Sequence, residues 1–248
     1  MTNKQKQILT AAGILALTFG VVPNVNAMHI MEGYLPVGFC LVWGVICLPF
    51  LAAGFMSIKK VLNENRKALI LLAMSGAFIF VISSLKIPSV TGSCSHMTGT
   101  GLGAILFGPA AVSVLGIIVL LFQAILLAHG GLTTIGANTF SMAVAGPLVS
   151  YGIYKVCKKM NLNTYVTVFL AAFLGDLFTY CVTAIQLAMA HHADTTIMGA
   201  MGKFMMVFAP TQLPLAVIEG LLTCMIMMAL ETYAKPELRA IGFMKEAK

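Results

Sequence analysis

The fold of this chain follows from the run Val112-Ser-Val-Leu-Gly-Ile-Ile-Val-Leu-Leu-Phe-Gln-Ala-Ile-Leu-Leu-Ala128, which contains no charged side chain. Its length and hydropathy are typical of a helix that crosses a bilayer. It lies within a longer segment, from Ile87 to Tyr154, that has no Asp, Glu, Lys or Arg. The whole chain is 59% hydrophobic and 9% charged, with a mean hydropathy of +0.95. A water-soluble domain cannot bury so much apolar surface, so the sequence predicts an all-α, polytopic membrane protein.

Apolar segments predict seven membrane crossings. Six are long: Val37–Met56, Ala68–Leu85, Val112–Ala128, Ala137–Tyr154, Tyr165–Ala188 and Leu213–Leu230. The remaining one, Thr98–Gly108, is short and glycine-rich, so we expect a broken or partly buried helix there. Lysine and arginine collect after the first, fifth and last crossings. Only seven crossings place all three clusters in the cytoplasm, with the amino terminus outside, in a bacterial or archaeal cell (inner) membrane.

The amino terminus has the layout of a secretory signal peptide. Two lysines precede an apolar run, Ile8–Val22, and Ala27 completes an A-x-A-like cleavage site. The run is too short for an ordinary membrane span. We therefore expect residues 1–27 to be removed and residues 28–248 to form the membrane-embedded protein. An uncleaved anchor helix is the alternative.

Cleavage after Ala27 would create a metal chelate. The free amine of Met28, the backbone nitrogen of His29 and the Nδ1 atom of His29 can close around one ion in roughly one plane. His96 is the best partner for the fourth position, because it lies in the polar, glycine-rich stretch Thr91–Gly103. Four nitrogens in a square favour Ni(II) or Cu(II), and Co(II) also accepts them. Hydroxyl side chains that are candidates to orient His96 are Ser93, Ser95, Thr98 and Thr100.

All histidines fall near the extracytoplasmic face of the predicted topology: His29, His96, His129, His191 and His192. Imidazole is the commonest protein ligand for transition metals, so this distribution indicates a site that takes metal from outside. Gln123, His129 and Asn138 lie at the ends of two predicted spans. They are expected near the cavity, but the sequence does not place them on the metal.

The remaining polar residues leave alternatives open. Asp176 and Glu219 lie within predicted spans, where they serve either as structural hydrogen-bond acceptors or in ion passage and coupling. His191-His192-Ala-Asp194 is expected to be a solvated loop end. With Asp176 or Glu219 it would instead form an intramembrane metalloenzyme, although no H-E-x-x-H motif occurs. A passive divalent-metal channel is a further alternative. The sequence has no G-x-x-x-x-G-K-[ST] motif, so active import would need partner ATPases.

Two motifs closely resemble those of the CbiM cobalt-transport proteins. Met28-His-Ile-Met-Glu-Gly-Tyr-Leu-Pro36 resembles the mature amino terminus of that family, and Gly92-Ser-Cys-Ser-His-Met-Thr-Gly-Thr-Gly-Leu-Gly103 resembles its second signature. Weaker support comes from Phe107–Pro109, Gln123–Gly131 and Gly136-Ala-Asn-Thr139. The resemblance therefore covers nearly the whole mature chain.

This resemblance implies a seven-helix substrate-capture (S) component of an energy-coupling-factor (ECF) type ABC importer. It implies that Co(II) is held by the Met28 amine, the His29 amide and imidazole, and His96, and that the cobalt supplies cobalamin biosynthesis. The implied partners are a transmembrane coupling (T) subunit, two cytoplasmic ATPase subunits and a small auxiliary membrane subunit, all in membrane lipid and without nucleic acid. Related nickel-uptake proteins share the Met-His start, so a nickel-specific S component is the alternative.

Overall fold

A computed structural model describes residues 26–27, 29–88, 93–192 and 195–244. The predicted signal peptide lies outside these residues, apart from Asn26 and Ala27. The described chain is mostly helical, with helices α1 Val37–Glu64, α2 Ala68–Ser84, α3 Thr100–Phe107, α4 Pro109–Leu127, α5 Ile135–Asn138, α6 Gly146–Lys159, α7 Thr164–Ala190, α8 Ile197–Tyr233 and α9 Lys235–Ala240. A π-helical segment, Thr139–Ala145, joins α5 to α6.

Four described helices are long and apolar enough to cross a membrane: α1, α4, α7 and α8. Helix α2 is apolar but shorter. Helix α8 is longer than the predicted span, because its 37 residues run through Pro210 and Pro214. Proline is tolerated in membrane helices where neighbouring groups satisfy the freed backbone atoms. The predicted span begins only at Leu213, between these two prolines.

Helix α3 occupies the glycine-rich segment for which a broken or partly buried helix is predicted. Its residues from Thr100 to Leu106 are buried. It lies between Gly99 and Gly108, which both have positive φ angles, of +68° and +83°. A Cβ atom on Gly101 would lie 2.9 Å from the Ala172 Cα of α7. Glycine at position 101 therefore permits a close approach of α3 to α7.

The all-α prediction missed a small sheet beside the amino-terminal segment. Its strands are β1 Asn26–Ala27, β2 Lys86–Pro88 and β3 Ser93–His96, in the order β1-β3-β2. Strands of two to four residues are too short to show an alternating pattern in the sequence. Strand β1 runs parallel to β3, with Ala27 opposite Cys94. Two residues further along each chain, this register brings position 29 level with position 96.

The amino-terminal segment is packed into the helical body rather than lying on its surface. Ile30 and Leu35 belong to a buried apolar cluster together with Ala137, Tyr180, Leu187 and Phe208. A Cβ atom on Gly131 would lie 2.6 Å from the Glu32 Cα, so the loop before α5 passes directly against this segment. The backbone after His29 is thereby fixed by contacts with α5, α7 and α8.

Candidate metal centre

Three buried imidazoles meet where the amino-terminal segment crosses strand β3 and the loop after α4. The ring centroids are 4.3 Å apart for His29 and His96, 4.6 Å for His29 and His129, and 4.9 Å for His96 and His129. One ligand atom from each ring lies within 4.8 Å of the other two. Metal–nitrogen bonds are about 2.0–2.1 Å long, so two donors on one ion lie at most about 4 Å apart. The cluster is therefore close to the spacing that a single ion requires.

His29 is positioned through the residue that follows it. The Ile30 amide donates to Asn138 Oδ1 at 2.8 Å, and Asn138 Nδ2 donates to the Ile30 carbonyl at 3.0 Å. The Thr134 hydroxyl donates to the same carbonyl at 2.6 Å. Thr134 directly precedes α5 and Asn138 is its last residue, so this short helix fixes the backbone beside His29. The sequence placed Asn138 near the cavity, and the structure adds this function.

The tautomer of His96 follows from one short hydrogen bond. The His96 Nδ1–H group donates to the Met97 carbonyl at 2.8 Å. This assignment leaves the Nε2 lone pair available, and Nε2 is buried without a hydrogen-bond partner among the described residues. A neutral imidazole in this state is ready to bind a metal ion through Nε2.

Three of the four predicted orienting hydroxyls contact other groups. Ser95 Oγ lies 2.7 Å from Thr211 Oγ1, and Thr98 Oγ1 donates to Glu219 Oε1 at 2.9 Å. Thr100 Oγ1 donates to Thr98 Oγ1 at 3.2 Å. The ring of His96 is oriented by a backbone carbonyl instead, while these hydroxyls fix the chain on either side of it.

Two predicted site residues, Met28 and the side chain of Ser93, lie outside the described residues. The expected roles of Met28 as a metal ligand and of Ser93 as a group that orients His96 therefore stay predictions. The position of the Met28 amine and any hydrogen bond from Ser93 to His96 belong to the proposal below.

Glu219 of α8 holds the segment after His96 directly, and Asp176 of α7 is linked to the His96 carbonyl through Gln212 of α8. Glu219 accepts hydrogen bonds from the Thr98 amide at 2.6 Å and the Gly99 amide at 3.0 Å. Gln212 Nε2 donates to Asp176 Oδ2 at 2.5 Å and to the His96 carbonyl at 3.3 Å. In the described contacts, both carboxylates act as structural hydrogen-bond acceptors, which is one of the two roles that the sequence left open.

The side chain of Gln123, on α4, lies near His29. Its Nε2 donates to Ser83 Oγ at 2.7 Å, which fixes the orientation of the amide and leaves Oε1 without a partner. The Gln123 side chain lies close enough to raise the pKa of His29, against the larger effect of burial, although Oε1 and His29 Nε2 fall short of hydrogen-bond geometry. A small shift would let Nε2–H of His29 donate to Oε1 and leave Nδ1 for a metal ion.

His129 follows directly after α4, at a sharp change of backbone direction. Ala128 and Gly130, on either side of it, have left-handed backbone conformations with φ values of 46° and +78°. The His129 amide donates to the Gln123 carbonyl at 3.1 Å. A Cβ atom on Gly130 would lie 3.4 Å from the His29 Cβ, so this turn passes close to the amino-terminal segment. The sequence assigned His129 no direct role, although its location at the face shared by the histidines was a usable signal.

The environment keeps the three imidazoles neutral. Burial lowers the pKa of His96 to about 4 and that of His129 to about 2, and it holds the pKa of His29 well below its usual value. Positive charge on Lys86 acts in the same direction on all three. Neutral imidazole is the form that binds metal ions, so protons do not compete strongly for these nitrogens near neutral pH.

The other histidine pair lies at the end of α7 and is exposed, as predicted for a solvated loop end. His191 Nε2 is 2.9 Å from the Tyr34 carbonyl, and His192 Nδ1 is 3.1 Å from the Met189 carbonyl. Asp194 lies outside the described residues. Among the residues described, the metal-ligating cluster consists of His29, His96 and His129.

A family model described as the cobalt uptake substrate-specific transmembrane region, CbiM, matches residues 29–238, which include all three histidines of the cluster. The chain belongs to the CbiM family. The cobalt transport protein CbiM of Lachnoclostridium phytofermentans is 65% identical over 243 residues, which are 98% of this chain and 97% of that protein. The CbiM protein of Chlorobium limicola is 59% identical over 221 residues, covering 89% and 87% of the two chains. The predicted resemblance to CbiM is confirmed.

Two solved structures share the fold of this CbiM-family chain. A crystal structure of a truncated transition metal transporter superposes with a TM-score of 0.71 at 28% identity, covering 83% of this chain and 99% of that one. A second crystal structure of a transition metal transporter gives 0.70 at 30% identity, covering 82% and 92%. The relatives are named as transport proteins, in agreement with the prediction of a membrane transporter rather than an enzyme.

Proposed function

We propose that this chain captures Co(II) at the extracytoplasmic face, as the S component of an ECF-type ABC importer that supplies cobalamin biosynthesis. The observation that carries this proposal is the convergence of His29, His96 and His129 at one buried point. Two of these residues lie in the motifs that resemble the CbiM signatures. The names of the relatives support cobalt as the cargo.

The proposed binding mode begins with removal of residues 1–27. The Met28 amine, the His29 amide nitrogen and His29 Nδ1 then form the chelate, and His96 Nε2 completes the square. The hydrogen bond from His96 Nδ1–H to Met97 supports this mode, because it leaves Nε2 free. The orientation of Gln123 supports it as well, since a bond from His29 Nε2–H to Oε1 would keep Nδ1 for the ion.

The proposed topology has seven crossings, with the amino terminus outside and the carboxyl terminus in the cytoplasm. The four long helices and α2 supply five of these crossings. Helix α3 supplies the sixth, and the segment from α5 to α6 supplies the seventh. ATP hydrolysis would take place in two separate cytoplasmic subunits, connected through a T subunit and accompanied by a small auxiliary subunit. Lysine and arginine in the segments assigned to the cytoplasm support this orientation.

A nickel-specific S component is the second candidate, because a square of four nitrogens also suits Ni(II). The metalloenzyme alternative has little support, since His191 and His192 are exposed and contact backbone carbonyls. A passive channel fits poorly with a buried chelate, because fast conduction requires weak binding.

The test is cobalt binding by purified full-length protein after natural processing. We expect His96→Ala to abolish stoichiometric Co(II) binding measured by metal analysis, because it removes a direct ligand. His192→Ala is the matched control: it removes an exposed histidine and should bind like the wild type. Normal cobalt binding by His96→Ala would overturn the proposal.

A further inference from the structure

His129 belongs to the imidazole cluster, but it is not one of the ligands in the proposed four-nitrogen square. Its side chain is 1% exposed, and neither Nδ1 nor Nε2 has a hydrogen-bond partner among the described residues. Buried polar atoms in native proteins are nearly always bonded to protein, water or an ion. The His129 imidazole is buried beside two candidate metal ligands, and both of its nitrogens lack a partner among the described residues. This arrangement therefore indicates that His129 also binds the metal ion.

The proposed square fills all four in-plane positions, so the axis is the position left for His129, and the orientation of its ring is compatible with that position. When His29 chelates through its amide and Nδ1, its ring lies roughly in the coordination plane. An axial ligand binds the metal along the line perpendicular to the square. The metal–nitrogen bond of an imidazole lies in the plane of its ring, so the ring of an axial imidazole is perpendicular to the square. The rings of His129 and His29 are inclined at 82°, and those of His129 and His96 at 66°. This arrangement fits an axial ligand.

Backbone geometry on both sides holds His129 in this place. Ala128 and Gly130 have positive φ angles, and the His129 amide is bonded to the Gln123 carbonyl. Gly130 passes so close to His29 that a Cβ atom there would lie 3.4 Å from the His29 Cβ. The turn thus fixes the ring over the segment that carries the chelate.

We propose that His129 is an axial ligand that makes this site select Co(II) over Ni(II). In a square of strong nitrogen donors, Ni(II) has no unpaired electron and gains little from a further ligand. Low-spin Co(II) keeps one electron in the orbital that points along the axis, and it accepts an axial donor readily. The inference rests on the proposed function, because it requires the chelate of Met28 and His29 together with His96.

Electron paramagnetic resonance of the processed protein loaded anaerobically with Co(II) tests this role directly. One axial nitrogen splits each cobalt hyperfine line into a triplet. We expect the triplet in the wild type and in His192→Ala, and its loss in His129→Ala. Removal of even an outer partner of a metal ligand reduces affinity about 10- to 100-fold, so His129→Ala should weaken Co(II) binding by at least about tenfold.

Ni(II) binding separates an axial ligand from a packing residue. We expect the Kd of His129→Ala for Ni(II) to stay within about threefold of the wild-type value, which would also show that the variant folds. A triplet that survives in His129→Ala, or equal losses for Co(II) and Ni(II), would overturn this inference alone. Retention of Co(II) by His96→Ala would overturn the proposed function and the in-plane geometry with it.

Discussion

Individual imidazoles at this site owe their orientation to amide and carbonyl groups. His96 donates to the Met97 carbonyl, and Ile30, next to His29, is held by the Asn138 amide. A nearby side chain, Gln123, is itself fixed by Ser83 and directs an unpartnered oxygen toward His29. In metal sites, groups that hold the ligands often affect affinity strongly, although they do not touch the ion.

Gln123→Ala tests this role at the scale of one residue. In the proposed binding mode, Oε1 accepts from the Nε2–H group of His29, so its removal would no longer favour the tautomer that leaves Nδ1 for the metal. We expect the Kd for Co(II), measured by calorimetry, to rise about 10- to 100-fold.

The control for that substitution is Gln186→Ala. Gln186 is also a buried glutamine, but its Nε2 donates to the Ala137 carbonyl. Its removal should change the Kd for Co(II) by less than about twofold. Equal losses of affinity in the two variants would show that the effect of Gln123 comes from packing rather than from the tautomer of His29.

At the scale of the elements, some supply the imidazoles of the site and others supply the side chains that support them. Strand β3 and the loop after α4 supply His96 and His129, while α5 and α8 supply the side chains that hold the backbone nearby. Glu219 of α8 accepts two amide hydrogen bonds and one hydroxyl hydrogen bond at the start of α3. Glu219 is therefore one of the buried side chains that attach the metal-binding segment to α8, together with Gln212, which donates to the His96 carbonyl.

Glu219→Gln should loosen that attachment. The substituted amide has one oxygen in place of two, and its NH₂ group faces backbone donors, so at least one buried N–H loses its acceptor. An unsatisfied buried donor costs about 1–3 kcal/mol, so we expect a lower melting temperature in detergent and weaker Co(II) binding. Glu231→Gln, on the same helix, changes a partly exposed carboxylate that accepts from the Tyr165 hydroxyl and should leave both unchanged. Equal melting temperatures of the two variants would contradict this role.

The helices were predictable, and the elements that assemble the site were not. Long apolar runs determined α1, α4 and α7, because a bilayer requires such runs. The small sheet was missed, since its strands are two to four residues long. The Asn138 amide bonds Ile30 across 108 residues of sequence, and such a contact leaves no local pattern. His129 was left without a role for the same reason.

At the scale of the whole molecule, the fold brings together two of the residues that the sequence predicted for the chelate. His29 and His96 were paired from the chemistry of their motifs, and the parallel register of β1 and β3 brings their rings within 4.3 Å. The sequence could predict that these two residues pair because a Met-His start and a glycine-rich histidine segment are chemically distinctive. The third imidazole required the folded chain, since the turn after α4 alone brings it to the others.

The central claim is that processing creates the cobalt site, and native mass spectrometry of the purified full-length gene product tests it most directly. We predict a single species that begins at Met28 and carries cobalt through gentle ionisation. Acetylation of its amino terminus should release the cobalt, because the Met28 amine is a direct ligand. Cobalt bound to a chain that retains residues 1–27, or bound equally well after acetylation, would contradict the account.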